Sequence, residues 1–249
     1  MRVSRHVPFD EADEHLALHA ATKHAINEKL FDASRGVYVD GLVPADRVDS
    51  VADFVESRGM ACSVYGAQYL LDGLFDAGRE RHALALLTAT HDRGWLHMSR
   101  DVGSTITLEA WDVKYKPNLD WNHAWGAVPA NVIPRKLMGI EPIEPGFRRI
   151  RVRPRTGTLE RAALRHPSPR GPIDLGVTRS PDVWRATLTL PEGVDADVHV
   201  PTVTPAAIRI TRDGAASQAV ITRVEGGRCV IEATAGTTTF TVTAPLPVH

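Results

Sequence analysis

Residues 95–125 read WLHMSRDVGSTITLEAWDVKYKPNLDWNHAW, and this stretch decides how the whole sequence is interpreted. It holds four of the five tryptophans of the chain, together with His97, Glu109, Asp112 and His123. Aromatic rings pack against the C–H faces of sugars, while carboxylates and imidazoles bond to sugar hydroxyls. The residue chemistry therefore favours an aromatic-walled pocket with polar groups, and the alternative is a hydrophobic hinge between domains.

Each residue of this stretch also has a purely structural interpretation. Trp121 and Trp125 are spaced i, i+4, as core anchors on one helix face would be. Glu109 is flanked by apolar residues and could be a salt-bridged carboxylate, and His123 could be a hydrogen-bonded structural histidine. The spacing of His97, Glu109 and His123 matches no metal-binding motif, so we predict no metal site and no cofactor.

Composition excludes several classes of protein. The 249 residues include 29 Lys and Arg against 30 Asp and Glu, and 43% of them are hydrophobic, which is typical of a globular protein. Such a balanced charge lacks the basic footprint of a nucleic-acid or anionic-membrane binder, so neither partner is expected. The length suits one large domain or two ordinary ones.

Cellular context is predicted from short segments. Cys62 and Cys229 lie far apart without CxxC spacing, which excludes a cysteine zinc site and a disulfide framework. No apolar run reaches the roughly 18 residues that span a bilayer. The first residues turn acidic where a secretory signal would be apolar, so a cytoplasmic location is predicted.

The first part of the chain has helical periodicity. Helices are predicted over residues 10–30, 48–55, 60–77 and 80–91. Gly78 is placed to end the third of them, so the helices pair as hairpins with short connections. In residues 121–139, Pro129 and Pro134 would each remove a helix hydrogen bond, which predicts a kinked or broken helix.

The second part has the signature of strands. Threonine occurs 15 times in residues 140–249 but only 5 times before them. Apolar and polar residues alternate in about seven short segments separated by Gly and Pro turns, which predicts an antiparallel sandwich. Among them, residues 147–153 (FRRIRVR) are predicted as an edge or cover strand with a cationic outer face.

Several motifs resemble the bacterial α-L-rhamnosidase family of six-hairpin glycosidases. The resemblance covers roughly residues 10–200 and is densest in residues 103–112 (GSTITLEAWD), 121–127 (WNHAWGA) and 151–154 (RVRP). Residues 59–66 (GMACSVYG) also look like part of the same barrel. The resemblance implies a partial (α/α)6 barrel of helical hairpins over residues 1–140, followed by a C-terminal antiparallel β-sandwich over residues 141–249.

The resemblance also implies an activity and roles for individual residues. The family hydrolyses terminal α-L-rhamnosyl bonds with inversion, so the expected ligand is a rhamnose-containing oligosaccharide or glycoside. Glu109, in the Thr-x-x-Glu-x-Trp segment, corresponds to the general base, and His123 to a residue that contacts sugar hydroxyls. Trp111 and Trp125 would be pocket walls or supports, and we add Trp95 and Asp112 as candidate substrate-binding residues.

One part of the family pattern is missing from this chain. Inversion needs two carboxyl groups about 6.5–9.5 Å apart, one as acid and one as base. The family's acid lies in an Asp-Cys-Pro-x-Arg-x-Glu-Arg type motif, which does not occur here. The chain is therefore expected to be incomplete alone, completed by self-association or by a missing N-terminal barrel segment that would cover apolar helix faces. The alternatives are a non-catalytic remnant, a carbohydrate-binding or structural module, and an unrelated six-hairpin lyase or glucosidase.

Overall fold

The computed structural model describes residues 17, 20–21, 24, 31–32, 37–38, 48–218 and 220–243. The chain divides into two compact units, Met1–Val51 and Ala52–His249. In the first unit, strands β1 (Phe31–Asp32) and β2 (Val37–Tyr38) form an antiparallel pair. Of the predicted helix over residues 10–30, the four described residues, 17, 20, 21 and 24, are helical, and the rest of that prediction lies outside the described residues.

Short helices occupy the chain from residue 48 to residue 137. They are α1 (Val48–Arg58), α2 (Ala67–Asp76), α3 (Glu80–Leu87), α4 (Trp95–Arg100) and α5 (Val128–Val132). A 3-10 turn (Ala124–Gly126) precedes α5, and a π-helical turn (Ile133–Leu137) follows it, so the prediction of a broken helix is confirmed. Of the described helices, none is long and apolar enough to cross a membrane.

Helix α2 shows how local sequence sets an element's ends. The prediction of a helix from residue 60 was wrong at its start, because Ser63 Oγ accepts a hydrogen bond from the Gly66 amide at 3.2 Å and forms a turn there. At the other end, Gly78 adopts a left-handed φ of 73°. The Gly78 amide donates to Phe75 O at 3.1 Å and the Arg79 amide to Leu74 O at 2.8 Å, which closes the helix as predicted.

Eleven described strands follow the helices and form two sheets. Their bounds are β3 (Ile140–Pro142), β4 (Arg149–Val152), β5 (Arg161–His166), β6 (Ile173–Arg179), β7 (Val183–Leu190), β8 (Asp195–Val200), β9 (Ile208–Arg212), β10 (Ala215–Ser217), β11 (Ile221–Glu225), β12 (Arg228–Ala233) and β13 (Gly236–Thr243). One sheet has the order β10-β9-β13-β7-β6-β5, and the other has the order β11-β12-β8-β4-β3. Apolar residues of both sheets form one core, as in a sandwich.

Strand β4 does not lie where the sequence placed it. It lies between β3 and β8 and pairs parallel with β8, so the prediction of an edge strand was wrong. Its cationic face is satisfied by carboxylates of the same sheet, since Arg149 Nε donates to Asp197 Oδ1 at 3.0 Å and Arg151 bonds to Glu141 at 3.2 Å. All other strand pairs described are antiparallel.

The helical segment passes into the sandwich at Gly139. This residue has a φ of 74°, and its carbonyl accepts the Arg153 amide at 2.9 Å. Buried Arg155 reinforces the joint, because its guanidinium donates to Phe75 O at the end of α2. The change from helices to strands falls near residue 140, while the predicted division into domains 1–140 and 141–249 stays a prediction.

Candidate active site

Two extended segments bring the candidate site together. The Glu109 amide donates to Asp120 O at 3.1 Å, and the His123 amide donates to Thr107 O at 3.0 Å, so the two segments run side by side. Thr107 Oγ1 adds a bond to His123 O at 2.7 Å. Gly126 fits against this pair only without a side chain, because a Cβ would lie 2.8 Å from Thr107 Cβ. Glu109 and His123, 14 positions apart in the chain, therefore meet in space.

The Glu109 carboxylate is held ionised by its neighbours. Lys116 Nζ donates to Oε1, and the Asp120 amide donates to Oε2 at 2.9 Å. Two hydrogen bonds hold the pKa of Glu109 below its usual value: the hydrogen bond from Lys116 is the larger cause, and the hydrogen bond from the Asp120 amide is the second. Both structural and functional interpretations of this residue thus have support, since Glu109 is ion-paired and also lines a cleft.

Tyr65 links the two predicted site residues. Its hydroxyl lies 2.9 Å from His123 Nε2 and 3.5 Å from Glu109 Oε1, where it donates to the carboxylate. Loss of solvation and the negative charge of Glu109 raise the pKa of Tyr65, so the phenol stays protonated. Its ring meets the Trp125 ring edge-on, with 5.3 Å between centroids. The sequence did not predict this role for Tyr65, and its one signal was the position of Tyr65 in the GMACSVYG segment.

The cleft beside Glu109 has a volume of about 480 Å³. Its lining combines a tryptophan and two tyrosines with charged and small residues: Ala61, Cys62, Ser63, Val64, Tyr65, Arg93, Glu109, Ala110, Trp111, Tyr115 and Lys116. Two charged residues of this lining, Arg93 and Lys116, were not predicted from the sequence as site residues.

Trp111 and Trp95 form the support of this cleft. Trp111 is only 3% exposed, and its indole N–H donates to Cys62 O at 2.8 Å. Trp95 packs edge-on against Trp111 with 5.0 Å between ring centroids, and its N–H donates to Gly126 O at 2.7 Å. Both indole N–H groups are used inside the protein, so these residues support the cleft, and buried Trp111 leaves little ring surface for a ligand.

Asp112 is bonded mainly to groups of the protein itself. Its Oδ2 lies 2.7 Å from His97 Nε2, and its Oδ1 accepts the Lys114 amide at 3.0 Å. The other nitrogen of His97 lies 2.8 Å from Asp101 Oδ2. The bond to Asp112 and the further bond to Asp101 raise the pKa of His97, because both carboxylates favour the imidazolium. This cluster braces the loop that carries Tyr115 and Lys116.

Trp125 and Trp121 are not core residues. They are 73% and 50% exposed, and no helix joins them, so their interpretation as core anchors on one helix face was wrong. Trp125 lines a second cleft of about 340 Å³, which also contains Tyr65, Gln68, Tyr69 and Asn131. Tyr65 therefore belongs to both clefts. In the described ranges, no group of three or more His, Cys, Asp and Glu residues could hold a metal ion.

Comparison with known proteins assigns the chain to a family. The model of the bacterial α-L-rhamnosidase six-hairpin glycosidase domain matches residues 9–137, which is more than half of the chain. This chain belongs to the bacterial α-L-rhamnosidase family. The model of the C-terminal domain of the same rhamnosidases matches residues 139–214. No curated protein matches the sequence significantly.

Solved rhamnosidase structures share the fold. The α-L-rhamnosidase of Streptomyces avermitilis, solved with L-rhamnose, is 25% identical with a TM-score of 0.64, and the match covers 79% of this chain and 19% of that one. The α-L-rhamnosidase of Dictyoglumus thermophilum is 17% identical with a TM-score of 0.67, and the match covers 81% of this chain and 24% of that one. The α-L-rhamnosidase of Aspergillus terreus is 18% identical with a TM-score of 0.60, and the match covers 79% of this chain and 21% of that one. The chain thus spans about a fifth to a quarter of these rhamnosidases. The predicted fold class, helical hairpins followed by an antiparallel-rich sandwich, is confirmed.

Within this rhamnosidase-family chain, all the predicted site residues fall in the segment that matches the six-hairpin domain. The structure brings Glu109 and Trp111 to one cleft, and His123 and Trp125 to Tyr65 beside it. Trp95 and Asp112 are not among the described residues that line this cleft; Trp95 packs against Trp111, and Asp112 bonds to His97. Their roles toward a substrate stay predictions.

Proposed function

We propose that this chain supplies the general-base part of a glycoside hydrolase site that cleaves terminal α-L-rhamnosyl bonds with inversion. Glu109 is the base in this proposal. The observation that carries it is the ionised Glu109 carboxylate on the wall of a cleft, in a segment matched by the rhamnosidase six-hairpin domain.

The electrostatics of Glu109 suit a base and not an acid. A general acid must hold its proton near neutral pH, which requires a raised pKa, whereas a base must be ionised before the reaction begins. The pKa of Glu109 is lowered by Lys116 and the Asp120 amide. Its carboxylate is therefore ionised before the reaction begins, as a group that accepts a proton from the attacking water must be.

The neighbouring residues would hold the sugar. The ring nitrogens of His123 and the phenol of Tyr65 can exchange hydrogen bonds with sugar hydroxyls beside the carboxylate. Trp125 offers an exposed ring on which a C–H face can pack. In this proposal Trp111, Trp95 and Asp112 act by shaping the cleft, because their polar atoms are bonded within the protein.

The general acid is proposed to come from outside these 249 residues. Inversion needs a second carboxyl group about 6.5–9.5 Å from the base. Among the described residues that line the cleft, Glu109 is the only carboxylate. The same observation favours the second candidate function, a non-catalytic carbohydrate-binding or structural module of such an enzyme.

Substitution of Glu109 tests the proposal. The assay is release of the aryl alcohol from an aryl α-L-rhamnoside, with the chain alone and together with any polypeptide encoded directly upstream. Glu109→Gln should abolish turnover while leaving the fold intact, because a neutral amide cannot activate water. Glu160→Gln, at an exposed position on the sandwich, is the matched control and should retain activity.

The outcomes separate the two candidate functions. Turnover that is lost only in Glu109→Gln supports the base. Turnover that persists in Glu109→Gln contradicts the assignment. The absence of turnover in every combination, with binding of the rhamnoside retained, would favour the non-catalytic module.

A further inference from the structure

The cleft next to Glu109 carries more positive than negative charge. Its charged lining residues are Arg93, Lys116 and Glu109. Lys116 donates directly to the Glu109 carboxylate, so these two charges compensate each other. The guanidinium of Arg93 is the third charged group of this lining, and the Lys116–Glu109 pair does not compensate its positive charge.

Arg93 is fixed in place by a tyrosine and not by a carboxylate. Its Nε donates to Tyr115 Oη at 3.3 Å, and its guanidinium carbon lies 4.9 Å from the centroid of the Tyr115 ring. A cation stacked on an aromatic ring is held in orientation while its terminal N–H groups remain available. Among the described residues, no carboxylate forms an ion pair with Arg93 within 4.0 Å.

Asp92, the acidic residue that precedes Arg93 in the chain, is already neutralised. Asp92 Oδ2 accepts Lys114 Nζ at 2.6 Å and the Tyr115 hydroxyl at 2.8 Å. These two bonds, with the Lys114 bond the stronger cause, lower the pKa of Asp92 to about 2. Asp92 and Lys114 thus form one compensated pair and Glu109 and Lys116 form another, while Arg93 lines the cleft and its charge is left uncompensated by the carboxylates of the described residues.

We propose that Arg93 is a specificity-determining residue that binds an anionic group, a carboxylate or a sulfate ester, on the sugar next to the rhamnosyl unit. This inference rests on the proposed function, because it takes the cleft to be the glycoside site. A guanidinium presents a planar fork of N–H donors that matches the paired oxygens of either anion. A neutral glycoside would leave this cation without a partner, so the cleft should select acidic glycosides.

Isothermal titration calorimetry with three disaccharides tests the proposal on the full chain. The ligands are rhamnosyl-glucuronate, rhamnosyl-glucose and the sulfate ester of rhamnosyl-glucose. At low salt, the acidic ligands should bind about tenfold more tightly than the neutral one, which corresponds to one charge-assisted contact of about 1.4 kcal/mol. The preference should shrink as salt is added, because the cleft is open to solvent.

Matched variants show whether Arg93 is responsible. Arg93→Gln should bind all three disaccharides equally, and Arg93→Lys, which keeps the charge but loses the fork, should retain part of the preference. Arg100→Gln removes an exposed charge at the end of α4, away from the cleft lining, and should behave as wild type. Circular dichroism confirms that each variant folds.

Each result decides the question. A preference for either acidic ligand that disappears in Arg93→Gln supports the inference, and the two acidic ligands show whether carboxylate or sulfate is the source of charge. Equal wild-type affinity for acidic and neutral ligands overturns it while leaving the proposed function standing. A preference that survives in Arg93→Gln also overturns it. Binding of none of the three overturns the inference about Arg93, whereas the proposed function is decided separately by the turnover assay with the upstream polypeptide.

Discussion

Replacing Gly139 by alanine tests how the helical segment is joined to the sandwich. Gly139 has a φ of 74°, a conformation that costs a residue with a side chain roughly 1–2 kcal/mol. A Cβ at this position would also lie 2.0 Å from Arg153 O, about 1.4 Å short of the 3.4 Å at which ordinary contact begins. Both flanking side chains, Met138 and Ile140, are fully buried, so the backbone has little room to move away.

The expected loss in the free energy of unfolding for Gly139→Ala is therefore the sum of two costs. The backbone strain contributes roughly 1–2 kcal/mol and the overpacking about 1–3 kcal/mol, which gives about 2–5 kcal/mol. Urea unfolding followed by tryptophan fluorescence and circular dichroism measures this loss.

Two other glycines separate the two costs. Gly146 has a φ of 65° but nothing within 4 Å of a built Cβ, so Gly146→Ala should show the strain alone, roughly 1–2 kcal/mol. Gly176 lies in strand β6 with neither a positive φ nor a close neighbour, so Gly176→Ala should be neutral or stabilising by about 0.5–1 kcal/mol. If Gly139→Ala is no less stable than Gly146→Ala, the close approach of Gly139 and Arg153 does not constrain the joint, and the reasoning is refuted.

Two further predictions concern charges around the cleft. The pKa of His97 is raised by Asp112 and Asp101, so the stabilisation from this cluster should be fully present below the unfolded pKa of about 6.5 and lost as pH rises through the folded value. His97→Gln should therefore destabilise the protein more at about pH 6 than at about pH 9, and an equal loss at both values would contradict this. Lys116→Met removes the largest cause of the lowered pKa of Glu109, so that pKa should rise toward the usual value of a glutamate, as measured by carbon NMR titration of the carboxyl group. An unchanged titration would show that the Asp120 amide alone holds Glu109 ionised.

Local patterns predicted individual elements well. Alternation in residues 183–190 gave the strand β7 with its actual bounds, and Trp184, Ala186 and Leu188 are buried on one face as expected. The two prolines of residues 121–139 predicted the broken helix for a local reason, since each removes a backbone donor. Pairing between distant segments was not predictable in this way. The parallel pairing of β4 with β8 depends on the packing of the whole sheet, and no short-range pattern encodes it.

The candidate site likewise has features that local sequence predicted and features that depend on contacts between distant segments. Glu109, His123 and the tryptophans around them were found from residue chemistry and family motifs within one stretch of 31 residues. Tyr65 lies 44 positions from Glu109 and 58 from His123, and it reaches both only because residues 60–66 form a turn before α2. The charge balance of the cleft was equally unpredictable, since it depends on which charged and aromatic groups the fold brings beside Lys116 and Arg93.

The sequence by itself determined the two kinds of architecture, the family and the candidate residues for the chemistry, because periodicity and motifs are properties of neighbouring positions. Only the tertiary structure decided that Trp111 is a buried support while Trp125 is exposed, that Lys116 pairs with Glu109, and that Arg93 lines the cleft with no carboxylate partner among the described residues. These properties depend on distances of a few ångströms between side chains that the fold brings together. Burial and Coulomb interactions change steeply over such distances, and spacing along the chain does not report them.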